Sequence, residues 1–209
     1  ISFLDIINRA GIKDQEKEKD YFSLKEPIFI EEDNASIKAL PDTDFKVSYS
    51  LDYSLLAQKK EFIELSFGAS GVFEKEIAPA RTFCLESEAR LLRAQGLGLG
   101  ANYENTLVVS DEGKIINNKT RFEDELVRHK VLDLIGDLYL LGFNLKAHII
   151  ATKSGHSLNL KLINEIAKQR EKHSMKKEDT VLEVTDIMKI LPHREPFLFV
   201  DRIVKLEYG

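Results

Sequence analysis

A single cysteine, Cys84, stands in the 209 residues. One thiol cannot close a disulfide within the chain, so no oxidised framework holds this protein, and a reducing, cytoplasmic setting is the expectation. Also missing is any run of about 18 apolar residues, which excludes a membrane-spanning helix. Positive charge is not in excess: 30 Lys and Arg stand against 35 Asp and Glu, for a net charge of -5. That balance argues against nucleic acid or an anionic membrane as a general partner, while leaving room for a local basic patch. The opening ISFLDIINRAGI carries charges and ends in glycine, unlike a signal peptide. What is present is ordinary for a soluble globular protein, with 43% hydrophobic and 31% charged residues. The length suffices for one or two domains. The chain starts at Ile1 without a methionine and stops soon after the apolar run FLFVDRIV, so both ends read as cuts in something longer.

Hydrophobic spacing gives the coarse organisation. Residues 2–10 read as a helix with Phe3, Ile6 and Ile7 on one face, stopped by Gly11. Residues 28–30, 45–51 and 62–67 read as strands; FKVSYSL alternates with a period of two. Residues 82–117 read as strand, short helix (85–95, ended by Gly96), glycine-rich turn GLGLGAN, then strand, turn and strand. Thr120 and Glu123 have the spacing of a capping box opening a helix that runs to Leu141 and stops at Gly142. Val127, Val131, Leu134, Leu138 and Leu141 make its apolar stripe, and Leu132, Ile135 and Tyr139 widen it, so this helix is expected to be mostly buried. Residues 146–152 read as a strand, and 158–172 as an amphipathic helix with Leu158, Leu162 and Ile166 inward. The charged stretch QREKHSMKKED (169–179) reads as a linker, after which a new unit begins.

On the buried helix His129, Asp133 and Asp137 recur every four residues. At 100° per residue they drift by only about 80° and form one polar stripe away from the apolar one. Ionisable groups on a buried helix need partners to offset their desolvation. Two readings stay open: a His–Asp hydrogen bond between successive turns, or imidazole and carboxylate chelating one Zn²⁺. His156, in SGHSLN at a strand-to-helix corner, is either a functional group on a rigid scaffold or a histidine beside a helix start capped by Ser157. Thr82 in ARTFC could be an N-cap, and Lys130 a solvated lysine.

Taken together, ARTFC (80–84), GLGLG (96–100), RFEDELVRHKVLDLIGDLYLLG (121–142) and SGHSLN (154–159) resemble the ordered motifs of the UDP-3-O-acyl-N-acetylglucosamine deacetylases, across about residues 1–172. The resemblance implies an α+β fold, a two-layer α/β sandwich with helices on one side of a mostly antiparallel sheet and a βαβ insert at about 82–109. Residues 1–20 would end a first domain, and 21–172 would form the second. It implies zinc as cofactor, with His129 and Asp133 as ligands; a third histidine ligand and a general-base glutamate are expected upstream of Ile1. His156 matches the histidine that stabilises the oxyanion and protonates the leaving amine, Asp137 its partner, and Thr82 a threonine that helps to bind the oxyanion. Phe83 and Lys130 match positions near the UDP-sugar. Leu85, Ala89, Leu92 and Val108 would line a passage for the acyl chain. Glu86 and the pair Ala101-Asn102 depart from the family's usual residues there. Cys84 reads as packing, because nothing in ARTFC supplies it with a base.

After a linker at 173–184, residues 185–209 (TDIMKILPHREPFLFVDRIVKLEYG) resemble the opening of the 3-hydroxyacyl-carrier-protein dehydratases, a hotdog-fold family, cut short. Acyl carrier protein would be the partner of that part; His193 and Arg194 read as structural. Two other readings compete. One is a dehydratase-centred protein whose leading segment is a degenerate binding module; the joint presence of His129, Asp133, Asp137, His156 and Thr82 opposes it. The other is an RNA-binding module, since the family's half-domain topology resembles a ribosomal-protein fold; the acidic balance opposes that.

Overall fold

The computed structural model describes residues 3–52, 60–178, 182–190 and 202–203. The chain divides into two compact units, residues 1–166 and 167–209. In the first, helix α1 (Phe3–Ala10) precedes strands β1 (Tyr21–Ser23), β2 (Ile28–Glu32), β3 (Ala35–Pro41), β4 (Phe45–Asp52) and β5 (Lys60–Ser66). A π-helical turn at Phe73–Ile77 leads into β6 (Thr82–Leu85), α2 (Glu86–Ala94), β7 (Thr106–Val109) and β8 (Ile115–Ile116). Then follow α3 (Glu125–Leu138), a 3-10 turn at Tyr139–Leu141, β9 (Asn144–Thr152) and α4 (His156–Glu178), whose residues from Ala167 on belong to the second unit. The second unit holds β10 (Leu182–Glu183), α5 (Val184–Ile190) and β11 (Arg202–Ile203), with β10 and β11 antiparallel and Ile187 buried.

The fold is mixed α+β. Six strands form the main sheet in the order β2-β3-β9-β4-β5, with β1 on the same β9. Three pairings are antiparallel (β2–β3, β3–β9, β4–β5), and two are parallel (β4–β9, β1–β9). β9 is the middle of this sheet, and its burial alternates strictly: Leu145, Ala147, Ile149 and Ala151 are buried, and their neighbours are not. That period of two places every second side chain in the core. Helix α3 meets β4 and β5. Its Val127, Val131, Leu134 and Leu138 join Leu158, Leu162 and Ile166 of α4 and the inward residues of β9 in one apolar cluster.

A second sheet has the order β6-β7-β8: β6 and β7 run parallel around α2, and β8 returns antiparallel to β7. α2 ends where glycine permits a left-handed turn. Gly96 has φ +72°, its N–H reaches the Arg93 carbonyl at 3.0 Å, and the Leu97 N–H reaches Leu92 at 2.8 Å. This is the Schellman pattern, which satisfies the last carbonyls of the helix.

Several elements differ from the expectations. α3 begins at Glu125, not at a box of Thr120 and Glu123. The carboxylate that reaches back is Glu125, which accepts the Arg121 N–H at 2.5 Å and is drawn inward by Arg81. Tyr139 is 76% exposed and does not widen the buried stripe, because the last turn tightens to 3-10 before Gly142 (φ +71°). The charged stretch 169–179 is helical through Glu178; it contains no glycine or proline, and its residues suit a helix without an apolar face. α1 buries none of its residues, Phe3, Ile6 and Ile7 included. β1 and β3 were not anticipated at all. His193 and Arg194, and nearly all of the stretch LPHREPFLFVDR, lie outside the described residues.

Candidate active site

The chemistry-bearing residues are set around α3, and the first device is the clamp at its start. Glu125 is fully buried and is grasped by Arg81 from the segment just before β6: Nε donates to Oε1 at 2.9 Å and Nη2 to Oε2 at 3.0 Å. The Arg81 backbone N–H adds a third bond at 3.0 Å, and Nη2 also donates to the Lys119 carbonyl at 2.7 Å. Burial pushes the Glu125 carboxyl up, but these donors and the Arg121 N–H more than offset it, so its pKa lies below the ordinary carboxylate value. Arg81 rises in turn, chiefly through its hydrogen bond to Glu125. A bidentate guanidinium–carboxylate pair of this kind fixes direction as well as distance. Here it holds the start of β6 against α3.

β6 then alternates. Phe83 and Leu85 pack on the core, and the Phe83 ring stands edge-on to the His129 imidazole with centroids 6.2 Å apart. Cys84 points the other way, into a cleft of about 220 Å³. Thr82 is exposed at the start of the strand; it caps nothing, because α2 begins three residues beyond Phe83, where Glu88 Oε2 accepts the Leu85 N–H at 2.9 Å.

On α3 the polar stripe is half-buried. His129 Nε2 lies 3.3 Å from Asp133 Oδ1, and Lys130 Nζ lies 3.0 Å from Asp133 Oδ2. Lys130 is therefore not a solvated lysine; its side chain is 14% exposed and rests on Asp133. Burial, opposed by the Asp133 charge, pulls the His129 pKa below its ordinary value and so favours the uncharged imidazole. Neutral imidazole is the form that binds metals. Its Nδ1 is buried without a partner at hydrogen-bonding geometry, although the Ala80 backbone is close enough to favour a proton there. Two donors each about 2.0–2.1 Å from a tetrahedral zinc ion are about 3.3–3.4 Å apart. The Nε2–Oδ1 separation fits that bite. Among the described residues no group of three or more His, Cys, Asp or Glu gathers for a metal, so His129 and Asp133 offer two ligands.

Asp137, two turns beyond His129, reaches α4. Its Oδ2 accepts from His156 Nδ1 at 2.8 Å and from Asn159 Nδ2 at 2.8 Å. Ser154 Oγ donates to Asn159 Oδ1 at 2.5 Å, and Tyr49 Oη donates to the Ser154 carbonyl at 2.5 Å. His156 is the first residue of α4, so Ser157 lies within the first turn and is not its cap. The imidazole itself is 66% exposed. The structure thus pairs His129 with Asp133 and His156 with Asp137 along one face of α3. Sequence reasoning missed Arg81, Glu125, Ser154, Asn159 and Tyr49; two of them stand inside SGHSLN, where their small polar side chains were a visible signal.

The cleft beside Cys84 is lined by Ala89, Leu92 and Val108, and also by Glu86, Arg90 and Arg93. Leu85 is not part of it: strand alternation turns its side chain to the core. Burial, and next the Glu88 charge, raise the Cys84 thiol pKa, which keeps it protonated and a poor nucleophile.

Comparison with known proteins gives a consistent result. The family model LpxC, UDP-3-O-acyl N-acetylglycosamine deacetylase, matches residues 1–168. A UDP-3-O-acyl-N-acetylglucosamine deacetylase of Chlamydia trachomatis serovar D is 42% identical over 176 residues, covering 83% of this chain and 62% of its own. The enzyme of that name from Alcanivorax borkumensis is 38% identical over 176 residues, covering 83% and 57%. A protein named bifunctional enzyme LpxC/FabZ, from Chlorobaculum tepidum, is 31% identical over 240 residues and covers 98% of this chain and 51% of its own. The chain thus spans 51 to 62% of the length of these relatives. A family model that matches 168 of the 209 residues, together with relatives of that name, shows that the chain belongs to the UDP-3-O-acyl-N-acetylglucosamine deacetylase family.

Proposed function

We propose that this chain carries the second half of a zinc-dependent deacetylase that hydrolyses the acetamide of UDP-3-O-(3-hydroxyacyl)-N-acetylglucosamine and releases acetate, the committed step of lipid A synthesis in the cytoplasm. The observation that carries the reading is that one face of α3 sets the half-buried His129 and Asp133 side by side and, one turn on, Asp137 against His156 of α4. His129 and Asp133 would hold the zinc. When bound, the ion polarises the amide carbonyl and acidifies a water. His156, held through Nδ1 by Asp137, presents Nε2 to the substrate and delivers a proton to the leaving nitrogen. Thr82 supplies a hydroxyl toward the developing oxyanion. Lys130 and Phe83 face the UDP-sugar, with the lysine offsetting its negative charge. Ala89, Leu92 and Val108 receive the acyl chain.

The fold read with this function is a two-layer α/β sandwich, with the β6–α2–β7 unit inserted beside the site. Residues 1–20 end a first domain, 21–172 form the second and 173–184 a linker. Residues 185–209 begin a hotdog dehydratase unit acting on 3-hydroxyacyl groups carried by acyl carrier protein. The name and extent of the Chlorobaculum relative support that last assignment.

The test is made in the full-length protein that contains this chain. His156→Ala is expected to retain zinc and lose deacetylation by about 10²–10⁴-fold. Undiminished turnover would remove the acid role.

A further inference from the structure

Ser154 and Asn159, which flank His156, are each 1% exposed, while the histidine they flank is mostly open. Two polar side chains so deeply buried are costly unless every bond they make is directed. Here the directions follow from one another. An ionised Asp137 can only accept, so Asn159 must turn Nδ2 toward it, at 2.8 Å. Oδ1 of the same amide then faces Ser154, whose hydroxyl must donate, at 2.5 Å. Tyr49, fully buried on β4, donates to the carbonyl of Ser154 and ties the start of α4 to the sheet. Asn159 Nδ2 and His156 Nδ1 approach the same oxygen, Oδ2 of Asp137, from a buried and an open side.

We propose that Asn159, locked in one amide orientation by Ser154, is a positioning residue that holds Asp137 Oδ2 on Nδ1 of His156, so that Nε2 alone is free to exchange a proton with substrate. The inference rests on His156 being the acid. Without the Asn159 bond the Asp137 carboxylate has rotamer freedom, and an exposed imidazole has little else to choose its tautomer. A flipped Asn159 amide would set Oδ1 against the carboxylate and repel it; Ser154 is what excludes the flip. The pairing is thus organised from its buried side outward.

The test reads the imidazole directly. In the 209-residue chain labelled with ¹⁵N-histidine, long-range ¹H–¹⁵N correlation at a pH where the ring is neutral is expected to show His156 in one tautomer, with its proton on Nδ1. His156→Gln identifies the signal among the five histidines. Asn159→Leu, of similar volume and without donors, is expected to shift the ring toward a mixture with the proton on Nε2; an unchanged tautomer overturns the proposal. In the full-length protein, Asn159→Leu is expected to lower kcat by roughly 10–100-fold, as for other residues that orient a reacting side chain, with KM within about twofold. Unchanged kcat, or an effect on KM alone, also overturns it. Should Asn159→Leu not fold, Ser154→Ala and Ser154→Thr decide: the alanine is expected to lower kcat and mix the tautomers, and the threonine, which keeps the donor, to restore both. Equal behaviour of the two refutes the lock. If His156→Ala instead turns over normally, the acid role fails, and the tautomer measurement still decides whether Asn159 sets the ring.

Discussion

Helix α3 carries two polar clusters less than three turns apart, and they are built on opposite plans. At its start, Glu125 and Arg81 are sealed from water, and every oxygen of the carboxylate is matched by a donor. Further along, His129, Asp133 and Asp137 converge but stay partly open, and the Nδ1 of His129 has no bond of good geometry. A closed cluster has nothing left to offer a ligand; it determines where things stand. An open cluster with surplus donors and acceptors is incomplete by itself, which is what a ligand site requires. The first holds the start of β6 against the helix, and the second uses the resulting space.

The sharpest way to break this contrast is to cut each cluster and compare what is lost. Asp133→Ala in the full-length protein is expected to reduce bound zinc to background and to abolish deacetylation, while thermal stability measured without metal changes little. Retained zinc by metal analysis would take Asp133 out of the ligand set. Glu125→Gln should do the reverse, lowering unfolding free energy in urea by about 3–5 kcal/mol because it leaves a buried guanidinium unpaired. The acid limb of stability sharpens the point. Since the folded pKa of Glu125 is depressed, its contribution is fully present above the unfolded value near 4.5 and is lost as pH falls through the folded value. Glu125→Gln should therefore flatten the decline in stability below about pH 4.5, seen as stability curves of variant and wild type that converge as the pH falls through that range. The smallest effect belongs to the surface. Glu86→Gln breaks an ion pair with Arg90 whose arginine side chain is 70% exposed, and should cost under about 1 kcal/mol.

Legibility in the sequence followed the same division. The open cluster was readable because its members repeat every four residues on a helix whose other faces are apolar. β9 and α4 were readable because their burial periods are clean. β3 was not, since Leu40 points outward and Ile37 and Ala39 differ greatly in size, although the Asp33-Asn34 turn before it, with φ +47° at Asp33, is a hairpin signal. The start of α3 was misplaced for a physical reason: Thr120 and Glu123 have the right spacing, but Glu125 has the buried partner, and the partner lies 44 residues away in sequence. Long-range pairings such as Arg81–Glu125 and Tyr49–Ser154 leave no local period to read. Asn159 stands in SGHSLN with no local sign of its role, because only the fold brings Asp137 to it.

β6 has a consequence that reaches the cleft. Its four residues send Phe83 toward the His129 ring and Cys84 into the opposite hollow, so one short ribbon of backbone is shared by two chambers. Inserting a single residue there would exchange the two sides, putting sulfur where the phenyl ring belongs and the ring in the hollow. The length of ribbon is thereby frozen. Reshaping the hollow is left to substitutions on α2 and in the glycine-rich turn that follows it.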